Sequence, residues 1–293
     1  MKNLNLSSPY IVNALSLLFI KNSDLTCAWC GNRENDEMTG LIVERLGAVC
    51  LLTIDREEAR NALDAATSRA LDEAITNAEI DSAVGAIVVT GTGSRAFCAG
   101  MDLKEAQRIG AGHGLIPGRG FGGITERRRT KPLIAAINGT AVAGGFEIMM
   151  ACDMVFAAEH AMMGLSEVKR GLFAFAGGIQ RLAAQVPRAT ALAMIMTGDL
   201  LPARRLYDLG IITEVVPGER LLDRTLEVTQ AMLANSWEAI NNGRELYELS
   251  NGMDTTQALA VGNAWGKATL SRPDSREGIA AYVQKRDAQF DRG

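Results

Sequence analysis

The chain reads as an α/β protein with crossover connections, and three observations predict it. Ala86-Ile-Val-Val-Thr90 and Leu133-Ile-Ala-Ala-Ile137 are continuous apolar runs, the pattern of strands buried on both faces. Before the first of them, Asp64 to Ala78 carries Leu71, Ala74 and Ile75 at helical spacing. Each run closes on glycine, at Gly91-Thr-Gly93 and at Asn138-Gly139, so the chain leaves each strand through a turn. Strands alternating with helical stretches in this order indicate crossovers between neighbouring strands.

Taken in order, residues 1–37 differ from the rest. Tyr10 to Ile20 is largely apolar, but about eleven residues cannot span a bilayer, which needs roughly twenty. Lys2 precedes that stretch, yet no small-x-small cleavage site follows it. The segment reads as a disordered, loosely docked or non-native extension, with Met38 as a natural start. Leu41 to Ile54 is rich in leucine and β-branched residues and broken at Leu46-Gly47, which predicts a two-stranded hairpin. Asp55 to Asn61 is charged and loop-like. Phe97-Cys-Ala-Gly-Met-Asp-Leu-Lys-Glu105 forms a turn that follows a strand and feeds a helix, where glycine lets backbone N–H groups approach a ligand. Arg108 to Arg129 holds seven glycines and little periodicity, the signature of a mobile loop over a site. Arg188 to Leu209 and Leu221 to Leu249 have helical patterns. The 293 residues could hold one large or two smaller domains; the pattern divides them into the extension, a core over 38–200 and a helical region over 201–293.

A formal charge of −4 argues against general affinity for nucleic acid or an anionic membrane. Arg127-Arg128-Arg129 is a local exception, readable as a solvated loop or as a phosphate contact. Of the five cysteines, Cys50, Cys98 and Cys152 fall in apolar segments, which suits a reducing, cytoplasmic setting. Cys27 and Cys30 form a lone C-x-x-C with no second pair for zinc. The only histidines are His113, in the glycine-rich loop, and His160, read as a surface residue, so neither a Ser-His-Asp triad nor a His-rich metal site is expected.

The most informative stretch runs from Leu133 to Gly171. After the strand comes a glycine-containing turn, and Gly144-Gly145 opens a segment, Phe146 to Cys152, that is apolar on every side except Glu147. A lone glutamate in the first turn of a buried helix reads as a capping residue, favoured by the dipole but costly to desolvate. Glu167 follows twenty residues later, after a second apolar strand from Asp153 to Ala158, so two carboxylates are expected on adjoining core elements.

Arg60-Asn-Ala-Leu63, Phe97-Cys-Ala-Gly-Met-Asp-Leu103, Asn138-Gly-Thr-Ala-Val-Ala-Gly-Gly-Phe-Glu147, Cys152-Asp153 and Gly177-Gly-Ile-Gln-Arg-Leu182 together resemble the enoyl-CoA hydratase/isomerase, or crotonase, family. The likeness covers about residue 40 to the C-terminus. It implies an α/β crotonase-like superhelix of repeated ββα units followed by helices that build homotrimers or homohexamers. It also implies an acyl-CoA thioester substrate and no further cofactor, CoA being part of the substrate. Carried over by motif, the backbone N–H groups of Met101 and Gly144 form an oxyanion hole. Glu147 acts as base and Glu167 as proton donor. Arg60, Ala62, Ala99, Gly100, Asp102, Leu103 and Lys104 line the CoA entrance, with Lys104 as the cation for phosphate.

Both glutamates stand where the hydratase branch has them, so the reading is reversible addition of water to a 2-enoyl-CoA. The alternatives are a double-bond isomerase, which needs one carboxylate, and a non-catalytic CoA-ester-binding or scaffold protein. The chain departs from the hydratase pattern at Ser166, where proline is usual, and at Ala174-Phe175, where Pro-Gly is usual. Phe175 is thereby expected near Glu167, which makes a straight-chain acyl group less certain.

Overall fold

The computed structural model describes residues 39–290 and Arg292. The apolar stretch Tyr10 to Ile20, the Cys27/Cys30 pair and the reading of residues 1–37 lie outside the described residues.

The predicted hairpin is Leu41–Leu46 paired antiparallel with Val49–Ile54. Val49–Ile54 then starts a parallel series through Ala86–Gly91, Leu133–Ile137, Met154–Ala158 and Glu214–Val216, giving a six-stranded sheet. Every residue of Ala86–Gly91 and of Leu133–Ile137 is buried, as their unbroken apolar runs require. A second sheet is made of shorter strands in the order Leu201–Pro202, Met162–Gly164, Thr140–Val142 and Ala96–Cys98, the last three mutually parallel.

The two sheets arise from one repeated path. Ala86–Gly91 is followed by Ala96–Cys98 and the helix Leu103–Ile109; Leu133–Ile137 by Thr140–Val142 and the helix Gly144–Met150; Met154–Ala158 by Met162–Gly164 and the 3-10 turn Glu167–Arg170. Each passage adds one strand to each sheet and then turns outward. Strands Leu201–Pro202 and Glu214–Val216, beyond residue 200, complete the two sheets.

Two asparagines of the sequence motifs hold these turns. Asn61 is fully buried; its amide donates to the carbonyls of Thr92 and Ala96, 3.0 and 2.7 Å away. Asn138 donates to the Gly93 carbonyl at 2.7 Å and accepts from the Gly91 N–H at 3.1 Å. Both satisfy backbone groups that the strand ends leave unpaired.

Three expectations need correction. The glycine-rich stretch is not without regular structure or anchors: Leu115–Ile116 pairs with Gly120–Phe121, Phe121 is buried, and Arg181 donates to the Thr125 carbonyl at 2.6 Å. The run Arg127-Arg128-Arg129 is neither a solvated loop nor a phosphate patch. Arg127 and Arg119 converge on Asp72, Arg129 pairs with Asp153 at 2.7 Å, and only Arg128 is left largely in water. Asp153 also accepts from the Leu133 N–H at 2.7 Å, so this ion pair fixes the start of a central strand. Finally, the helical pattern from Arg188 to Leu209 is broken: helices Arg188–Thr197 and Ala203–Asp208 are separated at Gly198, whose φ of 66° ends the first. In the same way Leu221–Leu233 and Trp237–Ser250 are two helices, the second capped by Ser236.

The Asp72 ion pair gives a measurable consequence. The Arg127 side chain is 7% exposed and its charge is balanced chiefly by Asp72. Asp72→Ala leaves that guanidinium buried and uncompensated, which should cost about 3 kcal/mol or more of stability. Denaturant unfolding of the variant checks this; a loss below about 1 kcal/mol would show that the loop is held by other contacts.

Candidate active site

The three short parallel strands Ala96–Cys98, Thr140–Val142 and Met162–Gly164 end side by side, and the chain just beyond each end faces one cavity. Ligands in α/β proteins gather outside the carboxyl ends of parallel strands for this reason. From the first end come Ala99, Met101, Asp102, Leu103 and Lys104; from the second Ala143, Gly144 and Glu147; from the third Ser166 and Glu167. Glu58, Ala59, Arg60 and Ala62 complete one wall, and the cavity measures about 420 Å³.

The loop carrying Arg60 and Ala62 is laid along the first strand end by backbone pairing. The Leu63 N–H donates to the Gly100 carbonyl at 2.8 Å, and the Asp102 N–H donates to the Leu63 carbonyl at 2.9 Å. This parallel bridge uses the groups on either side of Met101, so the Met101 N–H is directed away from Leu63. Gly100 sits behind Met101 with φ of 85°, and a side chain there would lie 3.0 Å from the Gly144 nitrogen. Gly100 therefore brings the Met101 and Gly144 backbones together without itself lining the cavity.

Gly144 opens the helix Gly144–Met150, so its N–H has no partner one turn earlier. The Phe121 ring packs so closely on it that a Cβ would lie 2.5 Å from Phe121 Cε1. Ala143, just before it, is held at φ 53° and ψ −127°, a region that alanine rarely occupies. It is tied on both sides: its N–H donates to Gly164 at 3.1 Å and its carbonyl accepts from Glu147 at 3.0 Å. Asp102 caps the helix Leu103–Ile109 and pairs with Arg56 at 3.0 Å. Partial burial alone would raise the Asp102 carboxyl, but the Glu105 and Lys104 N–H groups and Arg56 outweigh it and hold it below the usual range.

Glu147 is 4% exposed, on a helix whose seven residues are all buried. Its Oε1 accepts the Gly178 N–H at 3.0 Å. Burial pushes its carboxyl above the ordinary value, opposed by the N–H groups of Gly178 and Ala176 and by the charge of Arg181. A Cβ on Gly178 would come within 2.9 Å of Glu147 Cγ, so only glycine fits there. Glu167 departs from expectation. It lies half-buried at the start of the otherwise exposed 3-10 turn Glu167–Arg170, not on a core element, and its Oε2 is buried with no hydrogen-bond partner among the described residues. Burial first, and the charge of Glu147 second, push its carboxyl up to about 7.

The cavity thus brings together Arg60, Ala62, Ala99, Met101, Asp102, Leu103, Lys104, Gly144, Glu147 and Glu167, with Gly100 in support. Such an arrangement places the Met101 and Gly144 backbones and two carboxyl groups of raised proton affinity around one cavity, the kinds of group that can stabilise a developing oxyanion and move protons. His113 is not part of it: it is a buried ring 3.3 Å from Glu105. Sequence reasoning missed Ala143, because alanine gives no sign of a positive φ. It also missed the hold of Gly178 on Glu147, for which the Gly177-Gly178 pair was the available signal. Among the described residues no cluster suited to a metal is present, and no helix is long and apolar enough to cross a membrane.

Comparison with known proteins places this geometry in context. The family profile described as enoyl-CoA hydratase/isomerase matches residues 44–293. The enoyl-CoA hydratase EchA19 of Mycobacterium tuberculosis is 34% identical over 254 residues, covering 85% of this chain and 95% of that protein. The crystal structure of an enoyl-CoA hydratase from Mycobacterium tuberculosis H37Rv superposes with a TM-score of 0.82 at 34% identity, covering 87% of this chain and all of the other. A carnitinyl-CoA dehydratase from Mycobacterium avium 104 is 40% identical with a TM-score of 0.68, over 83% of this chain and 96% of that one.

The raised proton affinity of Glu167 carries a prediction of its own. In the fold the carboxyl keeps its proton up to about pH 7, whereas its ordinary value is 4.5. Unfolding between those values releases a proton, so rising pH favours the unfolded chain and stability falls across that window. Glu147, raised for the same cause, adds in the same direction. Glu167→Gln should therefore show a smaller drop in Tm between pH 5 and pH 8 than the unaltered protein. An equal drop in the two would contradict the assignment.

Proposed function

Because the chain belongs to the enoyl-CoA hydratase/isomerase family, we propose that it is an enoyl-CoA hydratase, adding water reversibly across the C2=C3 bond of a 2-enoyl-CoA thioester. The observation that carries this reading is the pair Glu147 and Glu167 lining one cavity with the Met101 and Gly144 backbones. Attack of water at C3 moves an electron pair onto the thioester oxygen. Two fixed N–H donors stabilise that charge, and the Gly144 N–H adds the local dipole of its helix end. In this reading Glu147, held by the Gly178 N–H, takes a proton from the water, and Glu167, whose carboxyl is pushed up to about 7, gives one to C2. The atoms of one water are thereby added, and the two carboxyl groups exchange protonation states, which reverse in the dehydration direction. The unequal environments of the two groups, one held by N–H donors and the other without a partner, support this division of roles.

The charged wall suits the CoA portion. Arg60 and Lys104 supply cations for phosphate, Asp102 keeps its segment in place, and Ala62, Ala99 and Leu103 leave room for the pantetheine arm. A double-bond isomerase would use one carboxylate, and a scaffold neither. Cys98 and Cys152 carry free thiols, which suits the reducing, cytoplasmic setting proposed here.

The C-terminal helices support assembly. Trp237–Ser250 and Thr255–Thr269 contain no buried residue, and Tyr247, Leu259, Leu270 and Tyr282 are each more than half exposed. Apolar surface of this kind is sheltered by association, and homotrimers or paired trimers are the assembly proposed. Light scattering at micromolar concentration should give three or six times the chain mass; a strict monomer would sink the proposal.

The mechanism is tested by replacing each glutamate with glutamine, which keeps size and removes proton transfer. Loss of enoyl-thioester absorbance on hydration of crotonyl-CoA should slow by about 10²- to 10⁴-fold in each variant. The double variant should be little worse than either single one, since one proton-transfer unit is dismantled twice. Strong loss at only one position would favour the isomerase, unchanged rates at both would overturn the two-glutamate mechanism, and no turnover by the unaltered protein would leave only binding.

A further inference from the structure

The lining of the cavity is chemically mixed. Glu58, Arg60, Asp102 and Lys104 contribute charge from the segments at the first strand end, whereas Leu172, Phe173, Phe175 and Ala176, the segment that follows Arg170, contribute a run of apolar groups joined by Leu115 and Phe121. An acyl-CoA is mixed likewise, with a charged nucleotide at one end and an acyl group at the other. Resting on the CoA-ester reading, we infer that the acyl group taken by this protein carries a broad, flat, uncharged substituent at C3, and that Phe173 and Phe175 select it.

The segment after Glu167 supports this. Ala174 and Ala176 are buried, while Phe173 and Phe175 between and beside them are 63% and 54% exposed. Alternation along an extended segment puts the two alanines against the core and the two rings on the opposite face, and both rings line the cavity. The rings meet edge to face with centroids 6.0 Å apart and planes at 63°. Two large rings left this open to water constitute apolar surface that a ligand can cover, and a third ring placed against them adds the edge-to-face or offset stacking preference of aromatic groups. The N–H of Gly178, two residues beyond Ala176, binds Glu147, so the segment that carries the rings is anchored to the reacting centre. Arg170 lines the same cavity and has no ion-pair partner among the described residues, which disfavours a cationic acyl group.

The test compares dehydration of 3-hydroxy-3-phenylpropanoyl-CoA, 3-hydroxybutyryl-CoA and carnitinyl-CoA by the wild-type protein and by Phe173→Ala, Phe175→Ala and the double variant. The readout is the phenyl-to-methyl ratio of kcat/KM in each variant relative to wild type, which cancels the intrinsic reactivity of the esters. Removal of one ring should lower that ratio by roughly 2- to 10-fold, and of both by more. An unchanged ratio, or carnitinyl-CoA as the best substrate, overturns the inference. So does an equal fall for all esters accompanied by a smaller oligomer, which would make the rings a subunit contact. If the wild-type protein dehydrates none of the esters, the hydratase reading fails by itself. Calorimetric binding of cinnamoyl-CoA against crotonyl-CoA then decides the acyl end: tighter binding of cinnamoyl-CoA that is lost in the double variant upholds it, and equal binding overturns it.

Discussion

Three strands of three residues each, running parallel and ending side by side, are the constraint on which the site depends. A helix end or a turn can be placed almost anywhere on a protein surface, but parallel pairing fixes the rise and direction of neighbouring chains together. Once Ala96–Cys98, Thr140–Val142 and Met162–Gly164 are in register, the next few residues of each passage must emerge at the same edge. The Leu63–Met101 bridge extends this arrangement by one more segment. The large sheet supplies rigidity; the small one supplies alignment.

Charge distribution follows from the same geometry. Glu147 is carried inward on a fully apolar helix and meets backbone N–H groups at the start of the helix Gly178–Gln185. Glu167, emerging from the last passage, has no such donor for its second oxygen. Two chemically identical side chains therefore acquire different proton affinities from position alone. Arg127 and Arg129, by contrast, spend their charge on internal carboxylates that anchor the loop and a central strand, leaving Arg60, Lys104 and Arg170 as cations on the cavity wall.

Most of the fold was legible because its signals are local. Unbroken apolar runs mark the central strands, and helical spacing of Leu71, Ala74 and Ile75 marks a helix over Asp64 to Ala78; the structure has it at Ala65–Ile80, with Asp64 as its cap. The glycine-rich stretch was misread because its order comes from distant partners. Asp72 lies some fifty residues from Arg127, and a run of arginines looks the same whether its counter-charges are water or buried carboxylates. The helix boundary at Gly198 was blurred because Leu200 and Leu201 continue an apolar pattern across the break. At the site, Glu147 stands out as a charge in an apolar segment, Glu167 follows from its place after the second apolar strand, and motif likeness adds their roles. The turn that carries Glu167 has no periodicity of its own to announce where it lies.

Ala143 has a consequence for anyone who alters this protein by selection. Its backbone occupies a conformation that glycine tolerates and alanine resists, a penalty of order 1–3 kcal/mol that the rest of the fold carries. A library screened only for survival on heating would be drawn to glycine at this position. The freed backbone would then no longer be forced to present the first N–H of the following helix at a fixed angle. Thermal robustness and the preorganised donor pull in opposite directions at one methyl group, so selection schemes need to score turnover alongside survival.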